Sequence, residues 1–402
     1  MRVLVLAGGF DQIALILELK NRGHHVVLVD YYENPPAKPY SDKHIVASTL
    51  DIEKVALIAK AEKIELICTA CTDQALLTVA CVSERLGLPC YISYQTGLNV
   101  TNKSYMKDVL VKNNIPTSKY SIVSNADLNS IKGFTFPLVV KPVDCNSSKG
   151  VKRVDNEDEF MVFVRDALNC SRTHTAIVEE YKEGTEISAD FYIDHGEAKF
   201  LSATASFKIK NRKSFTILGS DYPAVDCMQQ EKLVAIASSI SKAFALDNTP
   251  LLIQVINNKD ENSVLEFSAR MGGGSKYRLI QVLSGVDIMS TYVDRILGGF
   301  PTVTPVKQVD FCKLIYLYCK PGVFDHVEGF DELVSEGFID DFFVYKTKGM
   351  EINGAETSGD RPAGYLCTSS SREVLNKKIK FIDSRLKVVS KEGDDIMLHG
   401  LL

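Results

Sequence analysis

The sequence predicts an α/β protein made of more than one unit, and three observations point there. Its 402 residues exceed what a single compact core usually organises. The first hundred or so alternate continuous apolar runs with amphipathic stretches. Near residue 311 the pattern changes to short strands followed by one long amphipathic segment. Together these give a Rossmann-like N-terminal unit over 1–100, a larger α+β unit over 101–310 and a small C-terminal α+β unit over 311–402.

"RVLVLA" is an unbroken apolar run ending in Gly8-Gly9, the pattern of a buried parallel strand. "QIALILELKNRG" follows as a helix that Gly23 closes. "HHVVLVD" is a strand ending at Asp30, "IEKVALIAKAEKI" a helix and "ELICTA" a strand. "QALLTVACVSERLGLP" is a helix ended by Gly87 and Pro89. In the second unit "TNKSYMKDVLVKNNIPTSKY" gives a helix that stops before Pro116. "FPLVVKPVDCNSSKGVKRV" reads as strand, small-residue loop, strand, and "TAIVEEYKEGTEISADFYID" as two strands around a linker. "KLVAIASSISKAFAL" is a helix, and "LLIQVINNKDENSVLEFSARMGGGS" a hairpin with a polar turn that runs into glycines. In the third unit "DFCKLIYLYC" and "DDFFVYKTKG" are strands and "REVLNKKIKFIDSRLKVV" a helix.

The composition excludes several function classes. Hydrophobic residues make up 45% and charged residues 24%, as in an ordinary globular protein. A net charge of -5 without a long basic run argues against nucleic-acid binding by bulk electrostatics. The short apolar start and the lack of a stretch of about 20 apolar residues argue against export and against a membrane partner, so a cytoplasmic setting is expected. The ten cysteines are scattered. Cys68 and Cys71 have a two-residue spacing, but no second pair accompanies them to make a zinc site, so they read as small apolar residues at a strand end. Gly8, Gly9 and Asp30 stand where a dinucleotide site keeps its turn and its ribose acid. "AGGFDQ" lacks the spaced third glycine, so the reading is a tight turn lining a substrate pocket.

The middle of the chain offers what a nucleoside triphosphate requires. Lys141 ends an apolar strand just before Pro142, an unusual place for a lysine unless it faces an anion. Ser147, Ser148 and Gly150 follow, small enough for backbone N–H groups to approach phosphate oxygens. Glu179 and Glu180 close a strand, and Glu186 lies in the next. Glu266, Ser268 and Arg270 alternate along one strand and share a face, a carboxylate, a hydroxyl and a guanidinium suited to metal and phosphate. "SATASFKIKNRKSFTILGSDYPAVD" carries Lys208, Lys210, Arg212 and Lys213 and is open to two readings, a loop facing an anionic substrate or a solvated loop. "MGGGSKYRL" presents a helix start for a carboxylate, with Lys276 and Arg278 adding charge.

In this order "NKSYMKDVLVKNNIPT", "FPLVVKPVDCNSSKGV", "VEEYKEGTEIS" and "VLEFSARMGGGS" resemble the ATP-grasp superfamily. The likeness is greatest to its carboxylate–amine ligases and to carbamoyl phosphate synthetase large-subunit domains, and "SGDRPAGYLCTSSSREVLNKKI" is similar to the lid of the L-amino-acid ligase branch. The resemblance implies a pre-ATP-grasp domain, an ATP-grasp domain and a lid. It implies that Lys103 and Lys141 hold ATP phosphates under the Ser147–Gly150 loop. Glu180, Tyr181 and Lys182 would form the adenine hinge, with Glu179 an acid beside it, and Glu186 would bind ribose. Glu266 matches a ligand of Mg²⁺ (or Mn²⁺), and Arg270 the arginine that steadies the phosphorylated intermediate. Gln254 and Ser268 stand at metal-site positions where the family usually has an acid and an asparagine.

The implied catalytic residues are thus Arg270 and Lys141, and the implied reaction joins a small-molecule carboxylate to an amine through an acyl phosphate. Chemistry on bicarbonate, as in carbamoyl phosphate synthetases or carboxylases, and a non-catalytic ATP-binding role stay open. A homodimer is the assembly the resemblance implies.

Overall fold

The computed structural model describes residues 1–145, 148–210, 215–258 and 261–402. The N-terminal strands Arg2–Leu6, His25–Asp30, Lys43–Val46 and Leu66–Cys68 form one parallel sheet, with Arg2–Leu6 between His25–Asp30 and Leu66–Cys68. The side chains of Arg2–Leu6, His25–Asp30 and Leu66–Cys68 are largely buried on both faces, beneath the helices Asp11–Asn21, Ile52–Ala61 and Asp73–Leu86. Gly87 ends the third helix in the left-handed region at φ 66°, the conformation that made it a predicted stop. Lys43–Val46 is a strand the sequence pattern does not announce: its side chains are exposed or half-buried, and pairing with His25–Asp30 defines it.

Two larger antiparallel sheets frame the rest, and a small third one joins Glu351–Ile352, Gly322–Glu328 and Lys387–Ser390. A four-stranded sheet runs in the order Tyr120–Val123, Ala176–Glu180, Leu138–Pro142, Lys152–Val154, backed by the helix Glu157–Cys170. An eight-stranded sheet begins with the hairpin Glu261–Ser268 and Thr249–Asn258 and continues through Thr185–Asp194, Glu197–Lys208 and Ile217–Tyr222. It goes on through Phe311–Tyr316, Ala363–Ser369 and Asp341–Val344, so hydrogen bonding passes residue 310 without a break: Tyr222 pairs with Cys312.

Two expectations are corrected here. The segment read as a loop around Lys208 is the pair of strands Glu197–Lys208 and Ile217–Tyr222, while Arg212 and Lys213 lie outside the described residues. The long C-terminal helix stops at Arg385, and "LKVV" turns into the strand Lys387–Ser390 because buried Val388 and Val389 pair with Gly322–Glu328.

The N-terminal unit is fastened to the central one by polar contacts. The Asp11 carboxylate accepts the amides of Gly274 and Ser275, each at 2.8 Å. Arg22 meets Asp294 at 2.5 Å, and the Tyr292 hydroxyl donates to the Thr69 carbonyl at 2.7 Å. The helix start proposed for a substrate carboxylate is therefore already filled by the protein's own carboxylate, Asp11. Asp11→Ala is expected to lower stability by about 1–3 kcal/mol, because two amides lose their acceptor. Hydrogen exchange should quicken at Gly274 and Ser275.

Candidate functional site

A cleft of about 480 Å³ lies between the two antiparallel sheets. Lys141 and Glu179 are diagonal neighbours on one face of the four-stranded sheet, because Val139 pairs with Glu179 and Lys141 with Ile177. The Lys141 Nζ is 2.7 Å from Glu179 Oε1. The other oxygen faces Lys107 Nζ at 3.3 Å, from the helix Lys103–Lys112. Glu179 is 2% exposed. Burial alone would push its carboxyl up, but Lys107 and Lys141 outweigh it and hold the group below its ordinary 4.5. Burial pulls the Lys107 ammonium down to about 8, with Glu179 opposing.

Lys103 lies one helical turn before Lys107 and so on the same face. Its Nζ is 3.2 Å from Glu266 Oε2 and donates to the Cys145 carbonyl at 2.7 Å. Glu266 pairs with Gln254 across the hairpin. Gln254 Nε2 donates to Glu186 Oε1 at 3.3 Å, and Lys208 Nζ is 2.5 Å from Glu186 Oε2. Glu180, Tyr181 and Lys182 line the same cleft. The Glu180 and Tyr181 amides are committed to the Lys119 and Pro137 carbonyls, so those two residues would meet a base through other atoms.

Ser148 lines the cleft; Gly150 does not, and sits against Pro142 with φ 72°. A Cβ on Gly150 would lie 3.0 Å from Pro142 Cγ, which is why glycine suits the position. Ser147 lies outside the described residues.

Ser268 and Arg270 face a second cavity, of about 410 Å³. The two cavities share Ser148, Ser206, Ile217, Gln254 and Glu266, so they adjoin at the Glu266 end. Gly9, Phe10, Asp11, Cys71 and Asp73 contribute from the N-terminal unit, and Tyr316, Tyr345, Lys346 and Arg361 from the C-terminal one. Asp73 grips Arg270 in a two-pronged pair: Nε donates to Oδ1 at 2.9 Å and Nη2 to Oδ2. Lys276 lines this cavity, whereas Arg278 turns away to Asp341 at 2.6 Å.

The dinucleotide features serve the turn itself. Asp30 Oδ2 accepts the Gly8 amide at 2.6 Å, and a Cβ on Gly8 would stand 2.6 Å from Pro35 Cβ, so Pro35 fills the space above the turn.

The donors available to a divalent ion are the Glu266 carboxylate, the Gln254 amide oxygen and the Ser268 hydroxyl. No group of three or more His, Cys, Asp or Glu side chains stands ready for a metal among the described residues. The set fits one Mg²⁺ that keeps waters and takes phosphate oxygens for its remaining positions.

Residues 101–274 match the family model described as phosphoribosylglycinamide synthetase, ATP-grasp (A) domain. That stretch is similar to an ATP-grasp domain. A formate-dependent phosphoribosylglycinamide formyltransferase from Prochlorococcus marinus is 31% identical over 45% of this chain and 47% of its own length. The chain thus spans about half the length of the first curated relatives it matches. A phosphoribosylamine–glycine ligase from Methanosphaera stadtmanae is 22% identical across 100% of this chain and 97% of the relative. Among solved structures, an L-amino acid ligase from Bacillus licheniformis superposes with a TM-score of 0.79 at 19% identity. It covers 97% of this chain and 98% of its own. A phosphoribosylglycinamide synthetase from Anaerococcus prevotii gives 0.74 at 18%, covering 97% and 99%. These likenesses establish the ATP-grasp fold for the chain.

The two cavities also rest on charged residues that sequence reasoning missed. Lys107 was legible only as the i+4 partner of Lys103. Asp73 and Asp11 come from a unit with no sequence link to the site, and no local pattern signals them. Lys141→Ala is expected to weaken ATP binding by about ten- to a hundredfold, the worth of one charge-assisted contact. Titration calorimetry measures it, and unchanged affinity would move the phosphate site elsewhere.

Glu179→Leu leaves two buried lysines without their anion and is expected to cost about 3–5 kcal/mol in urea unfolding. Because the folded Glu179 carboxyl titrates below the unfolded one, its contribution is complete above the unfolded value and is lost as pH falls through the folded one. The acid limb of the stability profile should flatten in the variant.

Proposed function

We propose that this chain is an ATP-dependent ligase. It activates a small-molecule carboxylate as an acyl phosphate and joins it to an amine, releasing ADP and phosphate. The observation that carries the reading is the junction of the two cavities at Ser148, Gln254 and Glu266. ATP lying along the first cleft, with adenine at Glu180–Lys182, ribose at Glu186 and phosphates at Lys103 and Lys141, brings its terminal phosphoryl group to that junction. The second cavity then supplies the acid from the other side. The ligase names of the relatives support the reading.

In the first step a carboxylate oxygen attacks the γ-phosphorus, the bond to the β,γ-bridging oxygen breaks, and ADP leaves. In the second the amine nitrogen attacks the acyl carbon, phosphate leaves, and the nitrogen gives up a proton. The protein's work is placement and charge neutralisation. Lys103 and Lys141 offset the charge on the triphosphate. Arg270, fixed in orientation by Asp73, faces the acyl phosphate. A divalent ion at Glu266, Gln254 and Ser268 adds charge neutralisation when bound. The C-terminal Tyr316 and Tyr345 narrow the second cavity and help keep water from the intermediate.

A cytoplasmic setting belongs to the proposal: it provides ATP and keeps the ten free thiols reduced. No helix among the described residues is long and apolar enough to cross a membrane.

The test supplies ATP, Mg²⁺ and a panel of amino acids and small acids, with hydroxylamine present to trap acyl phosphates. Acid-dependent phosphate release with matching hydroxamate is expected. Turnover only with bicarbonate would replace the reading with carboxyphosphate chemistry. ATP binding without release for any pair would leave a non-catalytic nucleotide-binding protein.

A further inference from the structure

The nucleotide cleft has a thiol in its wall that the ligase chemistry does not use. Cys145 lines the cleft with Lys103, Lys141 and Ser148. Its carbonyl accepts the Lys103 ammonium at 2.7 Å, so the backbone at this residue steers one of the two lysines assigned to phosphate. Its thiol donates to the carbonyl of Cys170 at 3.3 Å. Cys170 is the last residue of the helix Glu157–Cys170 and does not line the cleft.

Cys170 lies against both ends of the small-residue segment. Cys145 touches it from one end, and at the other a Cβ on Gly150 would be 3.5 Å from Cys170 Cβ. The neighbouring backbone is fixed in register. The Val143 amide donates to the Thr175 carbonyl at 3.3 Å. The buried Asp144 carboxylate accepts the amides of Arg172 at 3.0 Å and Thr173 at 3.3 Å. A carbonyl oxygen lies about 3 Å from the Cβ of its own residue, which puts Cys145 Sγ within about 6 Å of Cys170 Cβ. Rotation of the two side chains is then what brings sulfur to sulfur.

Two other cysteine pairs sit close enough to feel each other's charge, Cys68 with Cys90 and Cys312 with Cys367. Cys68, Cys312 and Cys367 are buried, so each of those pairs has a thiol shielded from reagents. Cys145 and Cys170 are both half-buried and reachable. Oxidation at a reachable thiol with a second thiol beside it stops at a reversible disulfide.

We propose that Cys145 and Cys170 form a reversible redox site, whose disulfide draws the root of the phosphate-binding segment onto the end of the helix and lowers the affinity for nucleotide. One thiolate of the pair attacks a low-molecular-weight disulfide, forming a mixed disulfide and releasing one small thiol. The second attacks the protein sulfur of that mixed disulfide, forming the Cys145–Cys170 bond and releasing the other small thiol. The two protein thiols give up two electrons and two protons, and the small disulfide takes up both. Burial and the Asp144 carboxylate push the Cys145 thiol above its ordinary 9.0, with Lys149 and Lys103 opposing. The pair therefore reacts slowly at neutral pH and answers sustained oxidation. Once the bond forms, the carbonyl that steers Lys103 moves with Cys145. The bond is independent of the ligase reading, and its effect on affinity rests on the nucleotide reading.

The experiment incubates the folded full chain with excess oxidised glutathione, maps the linked peptides by mass and titrates ATP with Mg²⁺ calorimetrically. A Cys145–Cys170 peptide pair two hydrogens lighter than its parts is expected. ATP affinity should fall about tenfold or more on oxidation and return with dithiothreitol. Cys170→Ser, which leaves Cys145 in the cleft, should bind ATP as the reduced chain does and keep that affinity under oxidant.

A map that does not join these two cysteines, a joined pair with unchanged ATP affinity, or a loss of affinity that persists in Cys170→Ser would overturn the proposal. If the reduced chain itself binds no ATP, the nucleotide reading fails and with it the effect assigned to the bond, while the peptide map still decides the bond.

Discussion

A carboxylate with no water around it cannot stay charged alone, and Glu179 is such a group. It remains charged because Lys107 and Lys141 reach it from two different elements. Lys107 also donates to the Thr117 hydroxyl at 2.5 Å and to the Val264 carbonyl at 3.3 Å. One buried cluster therefore joins the helix Lys103–Lys112, the four-stranded sheet and the hairpin edge of the eight-stranded sheet. The cleft between the sheets has its width set by this cluster. Lys103 and Lys141 are held at fixed places around its floor, so a network of this kind acts as scaffold and as charge reservoir together.

The second cavity depends on a different constraint. Its walls come from three stretches of chain, and the fastening between them is polar. Asp11 fills the helix start at Gly274–Ser275, and Asp73 fixes Arg270. Both acids belong to the N-terminal unit, whose first strand-end turn carries only part of a dinucleotide fingerprint. In the folded chain its strand-end turn serves the neighbouring site instead. Gly9 and Phe10 line the cavity, while Asp30 and Pro35 are spent on keeping the turn closed.

Where sequence reasoning failed, the failures share a cause. The stretch 202–208 left a loop reading open because it carries polar residues toward its neighbours. Thr204 receives Lys276, Ser206 lines both cavities, and Lys208 pairs with Glu186. A strand whose faces line a binding site shows no clean alternation. Lys43–Val46 and Lys387–Ser390 were missed for a plainer reason: each is short, and its partner strand, not its own pattern, makes it a strand.

The sequence by itself determined the local elements with strong periodicity. It placed Lys141 at the end of a buried strand, put Glu266, Ser268 and Arg270 on one face, and stopped helices at glycines that can take positive φ. Periodicity and backbone preference act over a few residues, so they are legible in one dimension. Only the tertiary structure decided which charges meet: Asp73 with Arg270, Asp11 with the Gly274 and Ser275 amides, and Glu179 between two lysines. Those pairings span from 38 to over 260 residues of chain. They exist because burying a charge demands a partner, and the fold alone chooses which partner is near.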